Sequence, residues 1–243
     1  MLALDHFWDK NNNMVLLDDY LKIIEAKFTR REGIEKILKS TIGGVEIVDH
    51  PRFKQAIQML EDIKFDYDQD TKILDLGSSV PFITFYFKMK YDCKVQCWDP
   101  NIRGTYNLEG IEGKYFNICD KHVFVNQEMS DSNIGKEEWD FISLTEVLEH
   151  VTCNLYTVRD KVVRGLKKGG YMLVSYPQGD ILKGPYDVIL RDLDPDGMHS
   201  HLREFSVDTA VKFISDLTIV DIQRTGPLKY VPKGSTQIIY RKE

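Results

Sequence analysis

Lys72-Ile73-Leu74-Asp75-Leu76-Gly77-Ser78-Ser79 is the stretch on which the fold turns. An apolar run of strand length ends in an acid and a glycine, the pattern of a buried strand that opens into a tight turn. A second acid, Asp99, closes the next predicted strand, Lys94 to Trp98, about twenty residues on. Two strand-end groups at that interval are the arrangement that holds a nucleoside-bearing ligand at the carboxyl ends of parallel strands.

Working outward, apolar runs of strand length alternate with segments of helical period. Helices are expected from Pro81 to Lys90, from about Asn154 to Leu166, and from Ser206, as N-cap, to Leu217. Further strands are expected at Tyr115 to Cys119, ended by Asp120, then at Trp139 to Leu144, and at Tyr171 to Tyr176 after the Lys167-Lys168-Gly169-Gly170 turn. Thr218 to Gln223 and Gln237 to Arg241 are joined by a loop too short for a helical crossover, so they should pair antiparallel. The expected fold class is α/β, a Rossmann-like doubly wound sheet of seven strands, mostly parallel, with an antiparallel C-terminal hairpin.

Before the first of these strands, Leu17, Tyr20, Leu21, Ile24, Phe28, Ile34 and Leu38 recur at helical spacing from about Leu16 to Lys39, with a break near Gly33. Pro51 is placed to open another helix, with Phe53, Ala56, Met59 and Leu60 on its apolar face. Residues 1–51 read as an N-terminal helical extension or cap, which either covers the acceptor or packs at the sheet edge. Residues 52–243 form the main domain, with 177–205 as an insertion between the fifth strand and the next helix.

Composition narrows the classes. A chain of 243 residues with 42% hydrophobic and 29% charged residues suits one large domain. No apolar run reaches membrane-spanning length, and an acid stands where a secretory leader carries basic residues, so the expected setting is cytoplasmic, with no membrane partner. The four cysteines form no CxxC pair, and Cys93 and Cys97 read as buried small hydrophobes. A net charge of −6 argues against a broad nucleic-acid surface.

One segment remains, Asp140-Phe141-Ile142-Ser143-Leu144-Thr145-Glu146-Val147-Leu148-Glu149-His150-Val151. With Ile73 to Gly77, Asp99 and the Leu166 to Tyr171 turn, it resembles the class I S-adenosylmethionine-dependent methyltransferases over roughly residues 52–243. The resemblance implies that Asp75, Gly77, Ser78, Ser79, Asp99, Pro100, Asp120 and Leu144 bind that cofactor. It also implies that 177–205 is a substrate-side insertion, where Gln178, Tyr186 and Arg191, with Tyr176 just ahead of it, would contact the acceptor. Asp99 would accept the ribose hydroxyls, because an ionised carboxylate offers two acceptor oxygens. Ser79 and Pro81 stand where the family's loop often has its second and third glycines. Those changes suit a cofactor without phosphate and disfavour a pyrophosphate-binding dehydrogenase.

The E-x-x-E-H spacing resembles the metal motif of the ubiquinone-biosynthesis O-methyltransferases and the small-RNA 2′-O-methyltransferases. His201-Leu202-Arg203-Glu204-Phe205-Ser206 echoes a further histidine segment of the latter. By that resemblance Glu146, Glu149, His150 and His201 would hold Mg²⁺ or Mn²⁺, with the two carboxylates on one helical face. The other reading of the motif is a helix start without metal, and then His201, His199 or His150 is the general-base candidate. His201, His150 and Glu146 are therefore the catalytic candidates. The expected reaction is methyl transfer to a hydroxyl of a small-molecule or glycan-type acceptor. RNA ribose methylation is the alternative, although no basic tract is visible for phosphate contacts. A non-catalytic partner built on the same fold is the third.

Overall fold

The computed structural model describes residues 51–77, 82–99, 121–124, 133–151, 154–178, 205–226 and 234–243, together with four short N-terminal strands. Those four form two antiparallel pairs. Strand β1 (His6–Trp8) pairs with β2 (Met14–Leu16), and β3 (Thr41–Ile42) with β4 (Val45–Glu46). Apart from Leu16, at the end of β2, the helix expected from Leu16 to Lys39 lies outside the described residues.

The main domain runs α1 (Pro51–Asp62), β5 (Lys72–Leu76), α2 (Phe82–Tyr91), β6 (Lys94–Asp99), β7 (Lys121–Phe124) and β8 (Trp139–Thr145). It continues with α3 (Leu155–Gly165), β9 (Leu166–Pro177), α4 (Val207–Phe213), β10 (Thr218–Arg224) and β11 (Ser235–Arg241). Among the described residues these strands make one sheet in the order β10-β11-β9-β8-β5-β6-β7. The pairs β8/β9, β5/β8, β5/β6 and β6/β7 are parallel, whereas β11 pairs antiparallel with both β9 and β10.

Period-two alternation divides the sheet between two helical layers. Leu74, Leu76, Ile142, Leu144, Met172, Val174, Ile238 and Tyr240 join one core with Leu155, Val158 and Val162 of α3 and Ala210 and Phe213 of α4. Their neighbours Ile73, Val95, Cys97, Phe141, Leu173 and Ile239 join the other, with Phe53, Ala56, Met59 and Leu60 of α1 and Ile83 and Phe87 of α2. Helix α1 starts at the expected Pro51, and it packs directly on this second face of the sheet. Cys93 and Cys97 are fully buried, as their setting in apolar sequence predicts.

Two boundaries differ from the sequence reading. The strand pairing with β6 is Lys121–Phe124, aligned Gln96 with Lys121 and Asp99 with Phe124. Tyr115 to Cys119, expected as a strand ended by Asp120, lies outside the described residues. Strand β9 begins at Leu166, five residues before the expected Tyr171, because the glycines form an irregularity inside the strand and not a turn before it. The register of β8 against β9 shifts between Trp139 and Phe141, where Gly169 takes φ 77°. A Cβ on Gly170 would stand 2.9 Å from the Asp140 carbonyl oxygen, so only a glycine lets the strands close there.

A buried ion pair joins the helices of the second face. The Lys90 ammonium, 5% exposed, binds the Glu61 carboxylate, which also accepts from the Tyr86 hydroxyl at 2.6 Å. Among the described residues no helix is long and apolar enough to cross a membrane.

Candidate functional site

The chain leaves β5 toward β6 on one side and returns to β8 on the other. The strand order therefore reverses between β5 and β8, and in open α/β sheets the crevice at such a switch point is where ligands bind. Gly77 is the first residue beyond β5. It has φ 73°, and its N–H donates to the Trp98 carbonyl at 2.7 Å, which places the turn beside the end of β6. Asp99 is the last residue of β6, so the structure brings Gly77 and Asp99 together at the carboxyl edge. Asp75 lies deeper, 2% exposed, and accepts a hydrogen bond from the Ser143 hydroxyl of β8 at 2.5 Å. It joins the two strands under the crevice.

On the β8 side the chain makes a tight turn over residues 146–150, not the start of a helix. Glu146 adopts φ 55°, the left-handed region that a non-glycine residue enters at a cost of about 1–2 kcal/mol. Several bonds hold it there. Its N–H donates to the Ser175 carbonyl at 3.0 Å and lies 3.1 Å from the Ser175 hydroxyl oxygen. One carboxylate oxygen accepts from the hydroxyls of Ser175 at 2.9 Å and Ser235 at 2.8 Å. The other meets the Arg52 guanidinium at 2.9 Å. Arg52 sits in the first turn of α1, and its own carbonyl accepts from the Gln237 amide at 2.6 Å. The turn then buries Val147 in the core against Gly77. A Cβ on Gly77 would lie 2.4 Å from Val147 Cγ2, so glycine is required here by packing as well as by φ.

Glu149 has the opposite surroundings. It is fully buried, and neither carboxyl oxygen has a hydrogen-bond partner among the described residues. Burial, and then the neighbouring Glu146 carboxylate, push its pKa well above the carboxylate range. His150 Nε2 stands 3.8 Å from its Oε1, on a side chain 40% exposed.

This geometry removes the premise of the metal reading. Outside a helix, Glu146 and Glu149 do not share a helical face, the Glu146 oxygens are engaged by a cation and two hydroxyls, and Glu149 is fully buried. Among the described residues no group of three His, Cys, Asp or Glu side chains is placed to hold a metal ion. Glu146 and Glu149, as placed here, do not converge as the oxygen ligands that Mg²⁺ or Mn²⁺ takes, and His201, the fourth expected ligand, lies outside the described residues. The same bonds take Glu146 out of the role of a free catalytic acid. Leu144, expected at the cofactor, is a core residue with 1% exposure, and Tyr176, expected at the acceptor, is fully buried. Ser78, Ser79, Pro100, Asp120, Tyr186, Arg191, His199 and His201 lie outside the described residues. Gln178 makes a bridge to Phe205 and donates its N–H to the Gly234 carbonyl.

Arg52, Ser175, Ser235 and Val147 are the site residues that the sequence reading missed. The available signal was slight. Ser175 is the one serine in the run of apolar and aromatic residues from Tyr171 to Tyr176, and Ser235 follows a glycine at a strand start.

No family model matches the chain, and no curated protein does. Solved structures do match. A Burkholderia thailandensis 1,6-didemethyltoxoflavin-N1-methyltransferase, with its substrate and S-adenosylhomocysteine bound, superposes with TM-score 0.56 at 14% identity, covering 95% of this chain and 92% of its own. The N-methyltransferase NodS from Bradyrhizobium japonicum, in complex with S-adenosylhomocysteine, gives 0.55 at 13%, covering 88% and 98%. A methyltransferase from Methanosarcina mazei, described as dependent on S-adenosylmethionine, gives 0.53 at 14%, covering 75% and 96%. The chain has the fold of the S-adenosylmethionine-dependent methyltransferases. At these identities the likeness is one of fold.

Proposed function

We propose that the protein binds S-adenosylmethionine at the carboxyl ends of β5 and β6 and transfers its methyl group to a small acceptor. The observation that carries this reading is the Gly77 turn set against the end of β6 at the switch point, within a fold whose solved examples include complexes with S-adenosylhomocysteine. Gly77 turns the chain at φ 73° beside the end of β6, and Asp99 ends that strand, the position from which a carboxylate would read ribose hydroxyls. When bound, the cofactor supplies an electrophilic sulfonium methyl, so the protein's task is to hold donor and acceptor in line.

A hydroxyl of a small or glycan-type acceptor is the acceptor that the sequence favours. An amine nitrogen is the second reading, supported by the solved neighbours named as N-methyltransferases. Ribose methylation loses the metal arrangement on which it leaned, and the net charge of −6 adds nothing to it.

Calorimetry with S-adenosylhomocysteine tests the cofactor. Micromolar binding is expected, weakened about 10- to 100-fold in Asp99→Ala by loss of charge-assisted hydrogen bonds. Absence of binding at millimolar ligand sinks the proposal in favour of a non-catalytic partner. A panel of hydroxyl and amine acceptors, followed by S-adenosylhomocysteine release in Mg²⁺, Mn²⁺ and EDTA, then identifies the acceptor. The expected rate is the same in all three conditions.

A further inference from the structure

The E-x-x-E-H segment does something other than hold a metal. We propose that Arg52 is a positioning residue for the cofactor site, acting through Glu146 to fix the turn whose Val147 closes against Gly77. The proposal rests on the cofactor reading above.

Three observations join into one path. The first is a conformation that needs support. Glu146 stands at φ 55° without the freedom of a glycine, and such backbone persists only where its surroundings over-determine it. The second is the support itself. Arg52 from α1, Ser175 from β9 and Ser235 from β11 converge on one carboxylate, with Arg52 and Glu146 each only 13% exposed. Three elements distant in sequence are thus tied to the end of β8. A carboxylate that loses its cation in so enclosed a place is left uncompensated, and the cheapest relief is for the turn to swing out toward water. The third is what the turn touches. Val147 follows Glu146 directly and packs on the face of Gly77 where a side chain would be, and Gly77 is itself bonded to the end of β6. A displacement of Glu146 therefore reaches the cofactor turn across one side-chain contact.

The two acids of the segment are held differently: Glu146 is clasped by Arg52 and two hydroxyls, while Glu149 is buried beside it with no hydrogen-bond partner for its carboxyl oxygens among the described residues.

The test uses the full chain, with Arg52→Gln, Arg52→Lys, Glu146→Gln and Arg52→Gln/Glu146→Gln. Amide exchange at residues 147–151 is measured on the ligand-free protein, S-adenosylhomocysteine affinity by calorimetry, and folding by thermal melting. Expected in Arg52→Gln is a local rise in exchange at the turn, with core strands still protected, and a loss of affinity on the order of tenfold. The double variant should bind no worse than the weaker single variant, because both remove one interaction. Arg52→Lys should recover part of the affinity by keeping the charge. Wild-type affinity and unchanged exchange in Arg52→Gln overturn the proposal, as does a loss that Arg52→Lys and Glu146→Gln fail to track. Should Arg52→Gln not fold, Arg52→Lys and Glu146→Gln decide the matter by the same readouts. Failure of the wild-type protein to bind S-adenosylhomocysteine would count against the cofactor reading, while the exchange data still decide whether Arg52 fixes the turn.

Discussion

Two residues of the crevice make opposite demands on their side chains. Glu149 is an acid placed where ionisation is costly, so it binds its proton more tightly in the folded protein than in the unfolded chain. Its contribution to stability is then complete below the ordinary glutamate value of 4.5 and is lost as pH rises through the raised folded value. Glu149→Gln keeps the shape and removes that loss. Melting temperatures taken from pH 5 to pH 8 should show the variant above the wild type, with a gap that widens as pH rises. A constant gap would mean that Glu149 is ionised in the fold. Gly77, by contrast, must have no side chain. Gly77→Ala meets Val147 at 2.4 Å and forces alanine to φ 73°, which should cost about 2–4 kcal/mol in urea denaturation and weaken S-adenosylhomocysteine binding. Adding Val147→Ala removes the clash but not the dihedral strain, so recovery should be partial. Full recovery would show that the φ preference has no weight.

Among the elements, α1 and α2 are joined by a charge pair in the middle of an aromatic cluster. Lys90 binds Glu61 under the rings of Tyr86 and Tyr91, at 5.7 and 5.1 Å from their centroids. Breaking such a pair on one side leaves an ammonium without its counterion in a place with little water. Glu61→Ala should therefore destabilise by about 3 kcal/mol, whereas Lys90→Met with Glu61→Leu should stay within about 1 kcal/mol of the wild type. Chemical denaturation of the three proteins checks both figures. Equal losses in the single and the double variant would show that the pair contributes through packing alone. The elements also show where sequence reading stops. The short apolar runs Ile73-Leu74-Asp75-Leu76 and Phe141-Ile142-Ser143-Leu144 were enough to place β5 and β8, because a strand buried on both faces writes its burial locally. The strand beside β6 was placed at Tyr115 to Cys119, a run as rich in strand formers as Lys121–Phe124. Only pairing with β6 chooses between two such runs.

At the scale of the whole molecule, the fold and the crevice were legible, and the clasp was not. Glycine turn, strand-end acid and terminal antiparallel pair are each written in a few consecutive residues. Arg52 and Glu146 are 94 positions apart (146 less 52), and Ser235 lies a further 89 along, so no local pattern announces that they meet. The E-x-x-E-H spacing misled for a related reason: spacing implies a shared face only if the backbone is helical, and a tertiary contact turned it elsewhere. Ligand linkage offers a test of the molecule as a unit. S-adenosylhomocysteine at a hundred times its dissociation constant should stabilise the fold by about 2.7 kcal/mol, read as a rise in melting temperature of several degrees. No shift at saturating ligand would separate the fold from the proposed activity.

Strand β11 runs against its neighbours, so it begins at the crevice with Ser235 and finishes at the far pole. There Lys242 is anchored, its ammonium donating to the carbonyls of Val163 and Leu166 at 2.9 and 2.7 Å. Anything joined after Glu243 thus emerges a strand's length, about 23 Å, from the proposed site. A fluorophore or surface tether attached there should leave ligand entry undisturbed, which makes that end the natural handle for single-molecule work on this protein.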